Sequence, residues 1–174
     1  WGYICPTETP EGASVGVVKN LALTCEITKK TNSYLVKRII NKYIILYENI
    51  DIFKLNKSNY LIVFINGIIL GLCENLDNLI KLFKKSRENG LIHYQTSIYI
   101  DYKKKTINIW CDEGRTIRPL LKVNKNKLYL TKEIIKKLKN NEIKFNDLII
   151  NNEKNHCCII YIDQYETINN IISM

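Results

Sequence analysis

The chain has 174 residues, 46% of them hydrophobic and 25% charged, which suffices for one domain or two small ones with a buried core. Its formal net charge of +9 favours a polyanionic partner, although the base composition of an AT-rich genome would explain a lysine excess equally well. No apolar run reaches about 18 residues and the amino terminus lacks a signal-peptide pattern, so we expect no membrane span and no membrane partner.

The six cysteines are scattered, and neither they nor the two histidines have the spacing of a tetrahedral zinc site. We therefore expect reduced thiols, no bound metal and a reducing compartment. This predicts the nucleus or the cytoplasm, or a cytoplasmic viral factory or virion if the protein is viral. The cysteines are Cys5, Cys25, Cys73, Cys111, Cys157 and Cys158.

Residues 1–23 differ from the rest because they hold two of the three prolines and three of the seven glycines. Proline fixes φ and glycine permits positive φ, so this composition predicts a shaped loop. Thr9-Pro10-Glu11-Gly12 predicts a turn with proline at its second corner, which places the Glu11 carboxylate at the tip. The alternating apolar residues that follow predict an anchoring strand: Val15, Val17, Leu21 and Leu23.

Short elements are predicted next in the chain. Residues 21–28 continue as a strand, and a polar break leads to a helix over residues 34–41, capped by Ser33. Its inward residues are predicted to be Leu35, Ile39 and Ile40. Residues 43–53, rich in isoleucine and tyrosine, predict one or two strands.

Residues 61–72 give the clearest structural signal, because Asn66-Gly67 lies between two apolar runs and predicts a type I′ hairpin. A helix over residues 76–88 follows, with Asn75 as its N-cap and Asn89-Gly90 at its end. Its basic residues are expected on a solvated face: Lys81, Lys84, Lys85 and Arg87.

Residues 97–102 and 106–111 predict a second strand pair, and residues 112–119 an irregular stretch that holds Arg115 and Arg118. Two arginines on a constrained loop bind phosphate or carboxylate, or else backbone carbonyls and an acidic neighbour. Of these alternatives we favour the second, in which they hold adjoining domains together.

The remaining elements are strands over residues 120–123 and 127–130, a helix to residue 139 capped by Thr131, a short helix over residues 145–151 and a strand over residues 157–163. Residues 164–174 give no clear prediction. The whole pattern predicts an α+β fold: small mixed α/β domains with antiparallel hairpins and a few short helices, preceded by a Pro/Gly-rich loop.

We expect no catalytic residue in the chain. Glu8 and Glu11 should be solvated and alike, whereas acid–base catalysis needs two carboxylates in different environments. Cys157 beside His156 lacks an orienting partner, and the chain has neither a phosphate loop nor a dinucleotide fingerprint.

The loop contains Cys5-Pro6-Thr7-Glu8-Thr9-Pro10-Glu11-Gly12, followed by Gly16-Val17-Val18-Lys19-Asn20-Leu21. It resembles the end of the fork region in the second-largest (β-type) subunits of multisubunit DNA-dependent RNA polymerases, in their eukaryotic, archaeal and large-DNA-virus branch. Residues 63–67, 112–120 and 161–163 also follow the order of that family. The resemblance implies that the chain is a piece of a longer polypeptide.

The resemblance also implies three parts: residues 1–28 as the end of the fork, residues 29–112 as an external-1-like α/β domain, and residues 113–174 as an external-2-like region. The parent enzyme would be a nucleotidyltransferase whose Mg²⁺ is held elsewhere, with no cofactor bound by this segment. Its partners would be the largest subunit, the other polymerase subunits, the DNA template and the nascent RNA.

By the same resemblance, six loop residues lie near the active centre or nucleic acid: Glu8, Pro10, Glu11, Gly12, Lys19 and Asn20. Glu11 would fix a neighbouring basic group or the loop itself, and Lys19 would neutralise a phosphate. A carboxylate satisfied by local N–H groups is the alternative for Glu11. Two other function classes remain open, a free-standing basic nucleic-acid-binding module and a protein-interaction domain without nucleic-acid contact.

Overall fold

The computed structural model describes residues 1–50, 60–151 and 156–172. Mixed α/β structure with antiparallel pairing confirms the predicted fold class. The α-helices are α1 (Ser33–Ile40), α2 (Leu76–Glu88), α3 (Lys132–Lys139) and α4 (Gln164–Ile168). The strands are β1 (Glu26–Ile27), β2 (Ile45–Leu46), β3 (Leu61–Ile65), β4 (Ile68–Cys73), β5 (Ser97–Asp101), β6 (Thr106–Trp110), β7 (Thr116–Leu121), β8 (Val123–Asn124), β9 (Lys127–Leu128) and β10 (Ile159–Asp163).

Five strands form one sheet in the order β2-β4-β3-β6-β5, in which only β3 and β6 run parallel among these described strands. The hairpin prediction is confirmed, since β3 and β4 flank Asn66-Gly67 with φ of 48° and 80° at the two turn residues. Positive φ at both positions is what a type I′ turn requires.

Helices α1 and α2 pack on this sheet through one hydrophobic core. The prediction for α2 is confirmed, and its cap Asn75 accepts the N–H of Asn78 at 3.1 Å. In α1, Asn32 is the N-cap instead of Ser33, and Val36 and Ile40 are buried whereas Leu35 is 48% exposed. Of the predicted inward residues, Ile40 is buried and Ile39 is partly buried against this core. Only Leu35 is corrected, to Val36, because Val36 lies four residues before Ile40 on the same helix face.

A second sheet has the order β1-β7-β10 and joins distant parts of the chain. The predicted strand over residues 21–28 is limited to β1, and the predicted irregular stretch of residues 112–119 becomes β7 from Thr116 onward. Strand β1 pairs with β7 only as far as Ile117, so beyond that residue this edge of β7 has no partner strand among the described ones. Pro119 is tolerated there because its missing N–H is not needed for pairing. The predicted strands of residues 43–53 are limited to β2, and residues 51–53 lie outside the described residues.

A second core cluster supports the carboxyl-terminal part, where Ile117, Leu148 and Cys158 are buried against partly buried residues of α3. The α3 prediction is confirmed, with Thr131 as its cap. A 3-10 turn at Phe145–Leu148 replaces the predicted helix over residues 145–151. The three-part domain division stays a prediction. No helix within the described ranges has the length and apolarity to cross a bilayer.

Stability is expected to fall at alkaline pH because of Tyr161. Burial, aided by the Glu26 carboxylate, raises the pKa of Tyr161 to about 12. The unfolded chain loses this proton near pH 10, so stability falls as pH rises from there towards 12, by about 1.4 kcal/mol at about pH 11. Tyr161→Phe should remove that loss in urea unfolding compared at about pH 8 and about pH 11. Tyr102→Phe, at a 67% exposed side chain, is the control, and an equal effect of both variants would contradict the assignment.

Candidate functional site

The amino-terminal loop is closed at its base by backbone pairing. Ile4 and Leu21 form an isolated antiparallel bridge, the Cys5 N–H donates to the Asn20 carbonyl at 2.9 Å, and the Ala22 N–H donates to the Tyr3 carbonyl at 3.0 Å. Residues 6–19 therefore project from this closed neck, and each of them is exposed.

Side chains inside the loop brace its two arms. The Asn20 amide donates to the Glu8 carbonyl at 3.1 Å, and the Thr9 hydroxyl accepts the Gly16 N–H at 3.2 Å. Asn20 thus holds the loop through its own side chain. The loop is shaped by contacts within the chain, as its proline and glycine content predicts.

The reversal of the loop comes later than the predicted turn of residues 9–12. Glu11 has an extended backbone, with φ −79° and ψ 159°. The third residue of a type I or II turn instead has ψ of about 0°. The reversal begins at Gly12, whose φ of 81° opens a 3-10 turn over Gly12–Ser14. The predicted turn is corrected because glycine, rather than the proline before it, takes the left-handed conformation that redirects the chain.

The charged side chains of the loop have no partner among the described residues. The side chains of Glu8, Glu11 and Lys19 form no hydrogen bond or ion pair within that part of the chain, and Glu11 makes no capping bond to the 3-10 turn after it. Local N–H groups therefore do not satisfy the Glu11 carboxylate here. The loop presents two carboxylates and an ammonium group to whatever lies against it.

Apolar side chains beyond the turn are exposed as well. Val15 is 58% exposed, Val17 76%, and Leu23 completely. The predicted anchoring strand is wrong, because no neighbouring strand within the described residues pairs with this segment beyond the Ile4–Leu21 bridge. Several exposed apolar side chains in one short segment are typical of an interaction site.

Arg118 and Tyr3 attach the neck of the loop to the body. The Arg118 guanidinium donates to the Trp1 carbonyl at 2.9 Å and lies 5.2 Å from the centre of the Tyr3 ring. The Tyr3 hydroxyl donates to the Ile162 carbonyl at 3.2 Å and shares a 2.8 Å hydrogen bond with the Thr167 hydroxyl. Burial raises the pKa of the Tyr3 phenol, so it stays a neutral donor.

Arg115 is bound on all sides by groups of this chain. Its guanidinium contacts the Asp112 carboxylate at 2.7 Å, the Ser97 hydroxyl at 2.8 Å, the Asp163 carboxylate at 3.0 Å and the Gln95 carbonyl at 3.1 Å. These groups come from both sheets and the loops beside them. The contacts fit the structural role that the sequence favours over binding of an external anion.

Sequence reasoning missed a buried ion pair between α2 and α4. Arg87, predicted on a solvated face, is 6% exposed and donates to both carboxylate oxygens of Glu166 at 2.8 and 2.7 Å. Burial opposes the charge of Arg87, but the Glu166 carboxylate keeps its pKa above the usual value. The prediction fails because the partner lies 79 residues away, in a segment without a clear pattern.

No catalytic set is formed within the described residues. No cluster of three or more metal-ligating side chains is found there, and all six cysteines are free. Burial raises the pKa of Cys157, whose thiol donates to the Ile159 carbonyl at 3.3 Å rather than to a histidine. This arrangement can position and bind but does not activate a nucleophile.

A cleft of about 820 Å³ lies away from the loop, between β1 and the segment that leads to β5. Its lining includes Glu26, His93 and Tyr94, and the Tyr94 hydroxyl donates to the Glu26 carboxylate at 3.3 Å. Burial lowers the pKa of His93, so that residue is neutral near pH 7. The His93 ring accepts the Gln95 N–H at 3.4 Å and makes no hydrogen bond to a hydroxyl or thiol among the described residues, so no nucleophile–base pair is formed there.

Two family models match the chain. The model described as "RNA polymerase Rpb2, domain 3" matches residues 1–27, which include the loop and β1. The model described as "RNA polymerase Rpb2, domain 4" matches residues 63–124, which run from β3 to β8. Both matches include segments that the sequence motifs single out.

Curated relatives align over most of the chain. A "DNA-directed RNA polymerase II subunit RPB2" of Encephalitozoon cuniculi is 38% identical over 86% of the chain. A "DNA-directed RNA polymerase subunit Rpo2" of Sulfolobus acidocaldarius is 36% identical, and a "DNA-directed RNA polymerase III subunit RPC2" of Drosophila melanogaster is 31% identical, each also over 86%. The chain spans 13%, 14% and 13% of the lengths of these three relatives.

Proposed function

Because this chain belongs to the family of second-largest subunits of multisubunit DNA-directed RNA polymerases, we propose that it is part of an enzyme that synthesises RNA on a DNA template. The nucleotidyl transfer is assigned to the whole assembly, since this chain corresponds to only 13–14% of its relatives. The Mg²⁺ ions of that reaction are held by other parts of the polymerase. The relatives support this assignment over a free-standing nucleic-acid-binding module.

The role of this chain in the polymerase is to position a loop beside the active centre. The observation that carries this proposal is a loop fixed at its neck and between its arms while its charged side chains are unpartnered. A surface that is held in shape before binding loses little entropy when its partner arrives.

Glu11 and Lys19 have separate tasks in this proposal. Glu11 receives a charge-assisted hydrogen bond from a basic group of another part of the polymerase, which fixes that group near the nucleic acid. Lys19 neutralises one phosphate of template or transcript. Pro10, Gly12 and Asn20 shape the loop that presents the Glu11 and Lys19 side chains. The Glu8 carbonyl accepts a hydrogen bond from the Asn20 amide.

The exposed apolar residues of the loop define the contact with other polymerase subunits, including the largest one. Val15, Val17 and Leu23 would be covered in the assembly, since apolar surface of this extent gains free energy when buried. The assembled enzyme works where its template is, in the nucleus or the cytoplasm.

Glu11→Ala in the assembled polymerase is expected to slow elongation about tenfold, because a charge-assisted hydrogen bond worth about 1.5–3 kcal/mol is lost. Elongation rate and misincorporation are measured on a defined template. Glu113→Ala, at an exposed carboxylate outside the loop, is the matched control. If the Glu11 variant kept the normal elongation rate and fidelity, the Glu11 carboxylate would act only within the loop.

Crosslinking tests the position of the loop directly. A photoreactive residue in place of Lys19, in a polymerase stalled on DNA, should crosslink to template or transcript, whereas one in place of Lys104 should not. Crosslinks to protein alone from the loop would instead support a purely protein-binding role.

A further inference from the structure

The positive charge of the chain is concentrated in one segment. Residues 122–144 contain eight lysines, no arginine and two glutamates, a formal +6 of the total +9. By comparison, residues 61–121 carry nine basic and six acidic residues. A compositional bias towards lysine would act along the whole chain, so it does not account for this concentration.

Seven of these eight lysines are exposed and have no ion-pair partner among the described residues. Lys122 differs, because it pairs with Glu88 and lies 5.3 Å from the centre of the Tyr129 ring. The Glu142 carboxylate accepts a hydrogen bond from Asn140 and does not neutralise a lysine. We call the other seven the lysine surface: Lys125, Lys127, Lys132, Lys136, Lys137, Lys139 and Lys144.

The fold leaves all seven of these lysines exposed. Tyr129, Leu130, Ile134 and Leu138 pack inward on the second core cluster, which leaves the lysines on the solvent side of the β8–β9 hairpin and of α3. Lys125 lies in the hairpin turn with φ of 46°. The lysine surface therefore spans two adjacent elements held by one core.

One face of α3 carries like charges close together. Lys132 and Lys136 are four residues apart, and Lys139 follows three residues later, so like charges lie side by side on one helix face. The helix dipole favours Lys136, Lys137 and Lys139 in the last turn but not Lys132 in the first. An anion against this face would relieve the repulsion.

We propose that the lysine surface binds the phosphodiester backbone of nucleic acid, at a site separate from the loop. Lysine neutralises phosphates as a point charge without reading sequence, whereas protein interfaces are enriched in arginine and depleted in lysine. Seven lysines without an arginine therefore favour a phosphate backbone over an acidic protein segment. The site binds without sequence preference and with strong salt dependence.

The test compares two helices that carry the same pair of charges. K132E/K136E alters α3, and K81E/K85E alters the exposed lysines of α2 at the same spacing. Each is placed in the full-length subunit within a polymerase whose cleft is already filled by a template–RNA scaffold. Binding of a labelled mixed-sequence duplex and of a single-stranded DNA is then titrated over a series of salt concentrations.

The K132E/K136E variant is expected to bind the probe about tenfold more weakly at low salt and to reduce the slope of log K against log salt by about 2. The α2 variant should match the unaltered polymerase. K132Q/K136Q, with an unchanged circular dichroism spectrum, should show the same direction of change without charge reversal. The proposal would be overturned if the α2 and α3 variants weakened probe binding equally, or if the α3 variant left it unchanged. It would also be overturned if the α3 variant lost a bound protein while its affinity for nucleic acid stayed the same. The same titration is repeated on the isolated full-length subunit, where the loop has no polymerase active centre to contact. Binding by the lysine surface is thereby measured apart from the proposed role of the loop.

Discussion

Glu166→Ala is expected to lower the free energy of unfolding by about 3–5 kcal/mol, because it leaves the buried Arg87 guanidinium without its counter-charge. After the substitution, the Thr96 carbonyl, 2.9 Å away, is the remaining hydrogen-bond partner of Arg87 in the described residues. Urea unfolding followed by circular dichroism measures the effect, and Glu113→Ala should change stability by less than about 0.5 kcal/mol.

Replacing both partners separates the ion pair from the packing around it. In the double variant Arg87→Met, Glu166→Leu no charge is left buried, so most of the lost stability should return. If Glu166→Ala alone cost less than about 1 kcal/mol, the pair would not be shielded from solvent as its burial implies.

Arg115→Ala is expected to cost about 3 kcal/mol and to loosen the connection between the two sheets. The Asp163 carboxylate is 1% exposed, and among the described residues it would keep only the Ser97 hydroxyl and the Glu166 N–H as hydrogen-bond donors. Hydrogen exchange should accelerate at β10 and α4 more than at β3 and β4. This regional difference follows because β10 and α4 are joined to the first sheet partly through Arg115.

Arg38→Ala is the matched control, since Arg38 is exposed and has no ion-pair partner among the described residues. Equal costs for the two substitutions would mean that the Arg115 contacts add nothing beyond an ordinary surface arginine. A uniform increase of exchange over both sheets would contradict a role at their junction.

Local signals in the sequence were sufficient where neighbouring residues decide the conformation. The Asn66-Gly67 hairpin, the Asn75 cap and the bounds of α2 depend on residues within a few positions of one another, and the structure confirms them. The resemblance of the loop to the polymerase family likewise depended on a continuous motif, and the relatives confirm it.

The loop residues of the candidate site could be named from the sequence, but their environment could not. The predicted turn is displaced to Gly12 and the predicted strand after it is absent, because strand formation needs a pairing partner that composition does not reveal. The contacts that fix the neck join Tyr3 to Thr167 and Trp1 to Arg118, across more than a hundred residues. The roles of Glu11 and Lys19 at the active centre are proposals for the assembled polymerase.

By itself, the sequence determined the family, the fold class, the type I′ hairpin and two capped helices, since each depends on short-range pattern or on a continuous motif. Only the tertiary structure decided that Arg87 is buried with Glu166, that Arg115 joins the two sheets and that seven lysines near one core are exposed. The physical reason is that burial and electrostatic pairing depend on which distant segments meet in space, and a linear pattern carries no information on that meeting.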